Sequence, residues 1–307
     1  MPQSTEILKI GTRGSKLALV QANMVAAALE KQGTATHIVV IKTSGDRIQD
    51  RSLADAGGKG LFTKELEEAL LGGAADIAVH SMKDVPVEIP RGLSLAAILK
   101  REDPRDAFLS LKAKTLKDLP KGARLGTSSV RRQAQAARAR PDLDIALLRG
   151  NVDTRLGKLD AGEFDAILLA LAGLKRLGLQ ERVTSRLEPE DWLPALAQGA
   201  VGIELRENDA RARDAVAALN DMETEIALSC ERAFQAALDG SCRTPIAGLA
   251  KVSGGSLNFR GEVLAPDGSD SVQAAFDARG IDVTEAARLG REAGLAIKPR
   301  AKEWLVL

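Results

Sequence analysis

A chain of 307 residues, 45% apolar and 28% charged, has the balance of a globular protein whose length suits two or three cores rather than one. With no tyrosine and only 3% aromatic residues, it lacks the rings on which nucleic-acid binders stack bases, so no nucleic-acid partner is expected. The net charge of +1 hides an asymmetry: residues 101–185 hold 17 basic and 11 acidic side chains, offset by 14 and 20 over residues 186–307. A solvated basic face is the plain explanation of the middle excess, and a polyanion site is the functional one.

In chain order, β-rich runs at 7–11, 37–43, 76–80 and 93–99 alternate with helical periodicity over Lys16–Lys31 and Lys64–Leu71. Ser15 and Thr63 stand where the N-caps of those helices belong. Buried strands follow at 125–126, 144–148 and 166–170, interleaved with helices that start at Val130, Val152 and Leu171. This alternation predicts an α/β fold with largely parallel sheets. Pro104 and the stretch from Pro189 to Pro194 mark crossings between two lobes. Beyond Asn220 the pattern changes. A helix over 223–238, strands near 246–252, 257–264 and 272–278, and a last helix near 283–296 predict a small α+β third domain.

Two strand-to-helix turns echo each other, Gly11-Thr12-Arg13-Gly14-Ser15 and Gly126-Thr127-Ser128-Ser129. Backbone N–H groups at such helix starts lack partners and suit carboxylates or phosphates. One turn of this kind is usually only a capped helix; two beside several arginines point to a two-lobed anion cleft. Arg131 and Arg132 fall in the first turn of their helix, where a cation opposes the dipole, and this makes sense if an anion sits there. Arg149 and Arg155 repeat the arrangement at the next strand end and helix start. His80-Ser81-Met82-Lys83-Asp84-Val85-Pro86 also follows a strand, at the end where open α/β sheets bind ligands. In isolation Lys83 and Asp84 would more often be an ordinary surface pair; in the functional reading Lys83 holds a substrate carboxylate and Asp84 faces a centre that becomes cationic. The glycine-rich stretch 55–62 matches no phosphate-loop fingerprint and reads as a lid carrying Lys59 and Phe62, or as a plain linker.

Of the two cysteines, Cys230 lies within a helix and reads as core, whereas Cys242 sits in a Gly240-Ser241-Cys242 turn near Arg232 and Arg243. No triad accompanies it, since His37 and His80 lie in apolar strand-like runs, so Cys242 reads as an attachment point rather than a hydrolytic nucleophile. The same histidine placement argues against a metal site. The first residues lack the features of a signal peptide and no run is long enough to span a membrane, so a cytoplasmic protein without membrane association is expected.

These segments resemble the porphobilinogen deaminase family nearly end to end. The resemblance rests on Gly11–Arg13 with Leu17–Leu19, 57–62, 80–86, Arg101–Asp106, Gly126–Arg132, 148–155, 172–177, Gln198-Gly199, and Glu231-Arg232 through Gly240-Ser241-Cys242 to Pro245. Ser241 stands where many relatives have glycine, a small residue that such a turn tolerates. The resemblance implies three domains, residues 1–99 with 200–217, 105–193, and 220–307, the first two like a type II periplasmic binding protein around a cleft. It implies a dipyrromethane cofactor in thioether linkage to Cys242 and Asp84 as the catalytic carboxylate. Porphobilinogen would be the substrate, four molecules condensing with loss of ammonia before hydrolysis frees a linear tetrapyrrole. Arg13, Lys83, Arg131, Arg132, Arg149 and Arg155 match its carboxylate-binding positions; Ser15, Ser81, Thr127, Ser128, Ser129 and Gln198 match its polar contacts. A monomer is implied. The competing reading is a non-enzymatic two-lobed carboxylate-binding module, which Cys242 and the third domain disfavour.

Overall fold

The computed structural model describes residues 7–47, 60–239 and 244–305. In order, the first elements are β1 (Leu8–Arg13), α1 (Lys16–Lys31), β2 (Thr36–Ile41), α2 (Ser44–Arg47), α3 (Lys64–Leu71), β3 (Ile77–Ser81) and β4 (Leu93–Ile98). Then come β5 (Asp106–Ser110), β6 (Arg124–Thr127), α4 (Val130–Ala139), β7 (Asp144–Leu147), α5 (Val152–Asp160), β8 (Ala166–Ala170), α6 (Leu171–Arg176) and β9 (Ser185–Leu187). The last are β10 (Val201–Arg206), α7 (Ala210–Val216), α8 (Met222–Ala237), β11 (Ile246–Ser253), β12 (Ser256–Leu264), β13 (Ser271–Arg279) and α9 (Val283–Ala301). Among the described residues no helix is long and apolar enough to cross a membrane.

The chain forms two compact units, one from Met1–Ile48, Gly58–Arg101 and Ala200–Glu225, the other containing Glu102–Gly199 and Ile226–Leu307. The first holds a five-stranded sheet in the order β2-β1-β3-β10-β4, in which β1 runs parallel to β2 and β3 while β10 is antiparallel to β3 and β4. The second holds β7-β6-β8-β5-β9 with the same directions: β6 parallel to β7 and β8, β5 antiparallel to β8 and β9. The two topologies coincide strand for strand. The largely parallel sheets expected from the alternation are found, with four of the five strands in each running one way and a single strand against them. In each, the fourth strand is the one the chain forms on entering from the other unit, and it runs against its neighbours.

Both sheets are covered on both faces. In β3, Ile77 and Val79 join the core of Val25 and Leu29 from α1, and Ala78 joins Leu66 and Leu70 from α3. In β5, Ala107 and Leu109 face Leu156 and Leu159 of α5, whereas Phe108 faces Ala136 of α4 and Trp192. Ser15, Ser129, Asn151, Asp209 and Asp282 cap their helices by accepting a backbone N–H. Thr63 does not: its backbone is helical and its side chain makes no cap bond, contrary to expectation.

The remainder of the second unit is the antiparallel sheet β11-β12-β13 with α8 and α9 packed on it. Phe234 of α8 meets Phe259 of β12 edge to face at 5.0 Å. The opposite face, through Ala247 and Leu249, packs on Ala134 of α4 and on Leu193. Cys230 is fully buried in the core, and burial raises its thiol pKa far above the usual range.

Candidate functional site

In the first unit, the expected site residues gather where β1 and its parallel neighbour β3 end. Arg13 closes β1, and its guanidinium lies 4.0 Å over the ring of Phe62, just ahead of α3. Ser15 accepts the Ala18 N–H at 3.3 Å and so starts α1. Ser81, the last residue of β3, is hydrogen-bonded to the buried amide of Gln21 on α1, 2.9 Å from Nε2. A single 3-10 turn, Met82–Asp84, then carries Lys83 and Asp84, both half-buried. The buried Met82 side chain anchors that turn, and its N–H donates to Ala200 O at 3.1 Å. Gly202 leaves room for the side chain, since a Cβ there would come within 2.1 Å of Met82 Sδ.

In the second unit, β6 and β7 occupy the places that β1 and β2 hold in the first, so the two echoing turns are topologically equivalent. Gly126 lies flush against Phe164, where a Cβ would come within 2.8 Å of the ring. Thr127 Oγ1 accepts the Ser129 N–H, and Ser129 Oγ accepts the Arg132 N–H. Ser128 is half-buried between them. Arg149 follows β7, and Arg155 donates from Nε to Gly150 O at 2.8 Å. Gly150 has φ +111°, and a Cβ would strike Thr154 at 2.7 Å, so this turn requires glycine.

Arg131 and Arg132 fold inward, 4% and 5% exposed, onto Asp106, which is 0% exposed at the start of β5. Asp106 Oδ2 accepts from Arg131 Nη1 and Trp192 Nε1, both at 2.8 Å. Oδ1 accepts from Arg132 Nη2 at 2.7 Å and Gln198 Nε2 at 2.8 Å. Burial by itself would raise the Asp106 pKa, but the two guanidiniums overcome it and hold the carboxyl well below the usual carboxylate range. Gln198 also donates to Pro104 O at 2.7 Å, which joins the two crossing segments. Next to it, Gly199 has φ +92° and packs so closely that a Cβ would lie 2.3 Å from Glu102 O.

Asp106 supplies the anion that the arginine pair in the first turn of α4 called for, and the sequence reading did not single it out. Its signal was present in the Arg101–Asp106 segment, as an acidic residue opening a strand beside a crossing. Two guanidiniums against one carboxylate still leave one positive charge, and Nε of both arginines, although buried, has no hydrogen-bond partner among the described residues. A carboxylate-bearing ligand fits that excess. Two of the expected residues, Lys59 and Cys242, lie outside the described residues. Among the described residues no group of His, Cys, Asp and Glu could hold a metal ion.

Two family models match the chain: "Porphobilinogen deaminase, dipyromethane cofactor binding domain" over residues 8–214 and "Porphobilinogen deaminase, C-terminal domain" over 226–299. A porphobilinogen deaminase of Nitrobacter hamburgensis is 55% identical over 304 residues, 97% of this chain and 95% of the relative. One from Nitrobacter winogradskyi is 53% identical over the same shares. Among solved structures, the methionine-binding protein MetQ covers 70% of this chain and 90% of its own, at 13% identity and a TM-score of 0.46.

Proposed function

This chain belongs to the porphobilinogen deaminase family, and on that basis we propose which of its residues perform the family's reaction. The reaction is that of a transferase in tetrapyrrole biosynthesis. Four porphobilinogen molecules are joined head to tail with loss of ammonia, and water releases the linear hydroxymethylbilane. The cofactor is dipyrromethane, which when bound would supply the open pyrrole carbon for the first unit, each later unit joining the ring added before it. A non-enzymatic binding module is not favoured.

Every porphobilinogen bears an acetate and a propionate, so cofactor and growing product are polyanions. The observation that carries our assignment is the buried excess charge of Arg131, Arg132 and Asp106, with two Nε groups that have no hydrogen-bond partner among the described residues. We assign cofactor and substrate carboxylates to these arginines and to Arg13, Lys83, Arg149 and Arg155. Ser15, Thr127 and Ser129 use an oxygen lone pair for a backbone N–H, and each hydroxyl keeps its own proton to donate to a carboxylate. Ser81, Ser128 and Gln198 complete the polar contacts, Lys59 and Phe62 form the lid, and Cys242 holds the cofactor. Asp84 is the catalytic carboxylate. Its turn, anchored by Met82, presents it to the positive charge that develops as porphobilinogen loses ammonia, and it takes up the proton leaving the pyrrole carbon. For this purpose we divide the chain into residues 1–99 with 200–217, 105–193 and 220–307. We place the enzyme in the cytoplasm as a monomer that uses no nucleic acid.

Brief incubation with porphobilinogen followed by intact-mass measurement tests the assignment. The wild-type protein should show a ladder of added pyrrole units. Asp84→Asn should keep its fold and cofactor yet turn over at least about a hundredfold more slowly. A wild-type rate in Asp84→Asn would remove Asp84 from the chemistry.

A further inference from the structure

His80 and Glu204 form a buried pair for which the reaction has no direct use. In β3 the alternation that sends Ile77 and Val79 toward α1 sends Ala78 and His80 to the α3 side. β10 behaves alike: Ile203 and Leu205 join the α1 core and Glu204 faces the other way. The register opposes His80 to Gly202 and Ala78 to Glu204, so His80 and Glu204 are diagonal neighbours on one face. His80 Nε2 lies 2.9 Å from Glu204 Oε2, with side chains 3% and 0% exposed. Glu204 Oε1 has no hydrogen-bond partner among the described residues. Glu67 of α3 adjoins the pair, its pKa raised by burial and, further, by the Glu204 charge.

Stability does not account for such a pair. Desolvating both groups is costly, and a well-packed apolar pair of like volume would hold two strands at least as well. What a lone polar contact in an apolar layer provides is orientation, because any slip leaves a buried carboxylate without its donor.

The segment that benefits begins at the next residue. The start of β3 is held independently: Asp76 accepts from Lys9 N at 2.9 Å and pairs with Arg206 of β10 at 3.3 Å. At the other end, His80 leads directly into Ser81 and the turn that carries Lys83 and Asp84. We propose that the His80–Glu204 pair is a positioning device for Asp84: it fixes β3 against β10 at the reactive end and so sets where the Met82–Asp84 turn presents its carboxylate. This inference rests on the reading of Asp84 as the catalytic group.

The test replaces the pair with an apolar one, His80→Phe with Glu204→Leu, in full-length cofactor-bearing enzyme. The double variant should unfold at a urea concentration no lower than wild type, while kcat falls about tenfold or more and KM rises no more than about threefold. Deuterium exchange at the Met82 and Val85 amides, which bond to Ala200 O and Met82 O, should accelerate. Glu204→Gln, which keeps a hydrogen bond to His80, should retain kcat within about threefold. Wild-type kcat and unchanged exchange in the apolar variant would overturn the proposal. If that variant does not fold, His80→Phe with Glu204→Gln carries the same comparison and the same two outcomes. Asp84→Asn serves as the control: if it alone keeps turnover, the reading of Asp84 fails, and if it loses turnover while the apolar variant does not, only the positioning role fails.

Discussion

Asp106 shows how one buried carboxylate fixes the geometry of an arginine pair. Each of its oxygens accepts two hydrogen bonds, so it has no capacity left to act as a base, and its function is to hold Arg131 and Arg132 in place. Its folded-state pKa lies below the unfolded value, near 3.9. The stability it contributes is therefore complete above about pH 4 and drains away as pH falls toward the folded value. Asp106→Asn should cost about 3–5 kcal/mol at pH 7, because it leaves two guanidiniums buried against each other. Urea midpoints of wild type and variant should converge as pH is lowered from about 5 to about 2. A gap that stays constant over that range would mean that the Asp106 charge is not what holds the cluster.

The close approach of α8 and α9 depends on positions with no side chain. A Cβ at Gly290 would lie 2.1 Å from the Cys230 carbonyl, and one at Gly294 would lie 2.7 Å from Ala237 Cβ and 2.8 Å from the Phe234 carbonyl. The obstacles are mostly backbone, so the helices must separate to admit a methyl group. Gly290→Ala should destabilise the protein by about 1–3 kcal/mol, read as a lower thermal midpoint. A midpoint equal to wild type would show that the helices have slack. At this scale much was legible from the sequence. Apolar periodicity placed α1, α3 and α8 within a residue of their observed bounds, and glycines with capping hydroxyls located the strand-to-helix turns that follow Gly11 and Gly126. What escaped were partnerships between distant residues. Asp106 lies 25 residues from Arg131, and His80 lies 124 residues from Glu204. Nothing local to either member announces the other. Thr63 failed as a cap for the opposite reason: the residue type was right, but the chain enters α3 already in a helical conformation.

For the whole molecule, the informative feature is that two sheets of one topology each receive a fourth strand after a crossing. β5 follows the passage out of the first unit, and β10 follows the return. Strands such as β5 and β10 carry no local signal that separates them from their parallel neighbours, so the one reversed direction in each sheet appears only in three dimensions. The exchange places Asp106 and Gln198 at the two passages, where they hydrogen-bond to each other beneath the arginine pair. On the proposed assignment such a cluster holds carboxylates of a polyanion through successive rounds of condensation, and the proposed covalent anchor at Cys242 would free that retention from dependence on ionic contacts that salt weakens. The anchor is also the part most directly open to measurement, by intact mass of the purified full-length protein and of Cys242→Ser. The wild-type chain should exceed its sequence mass by one two-pyrrole unit and Cys242→Ser should match its own; a wild-type chain at its bare sequence mass that still consumed porphobilinogen would contradict the assignment.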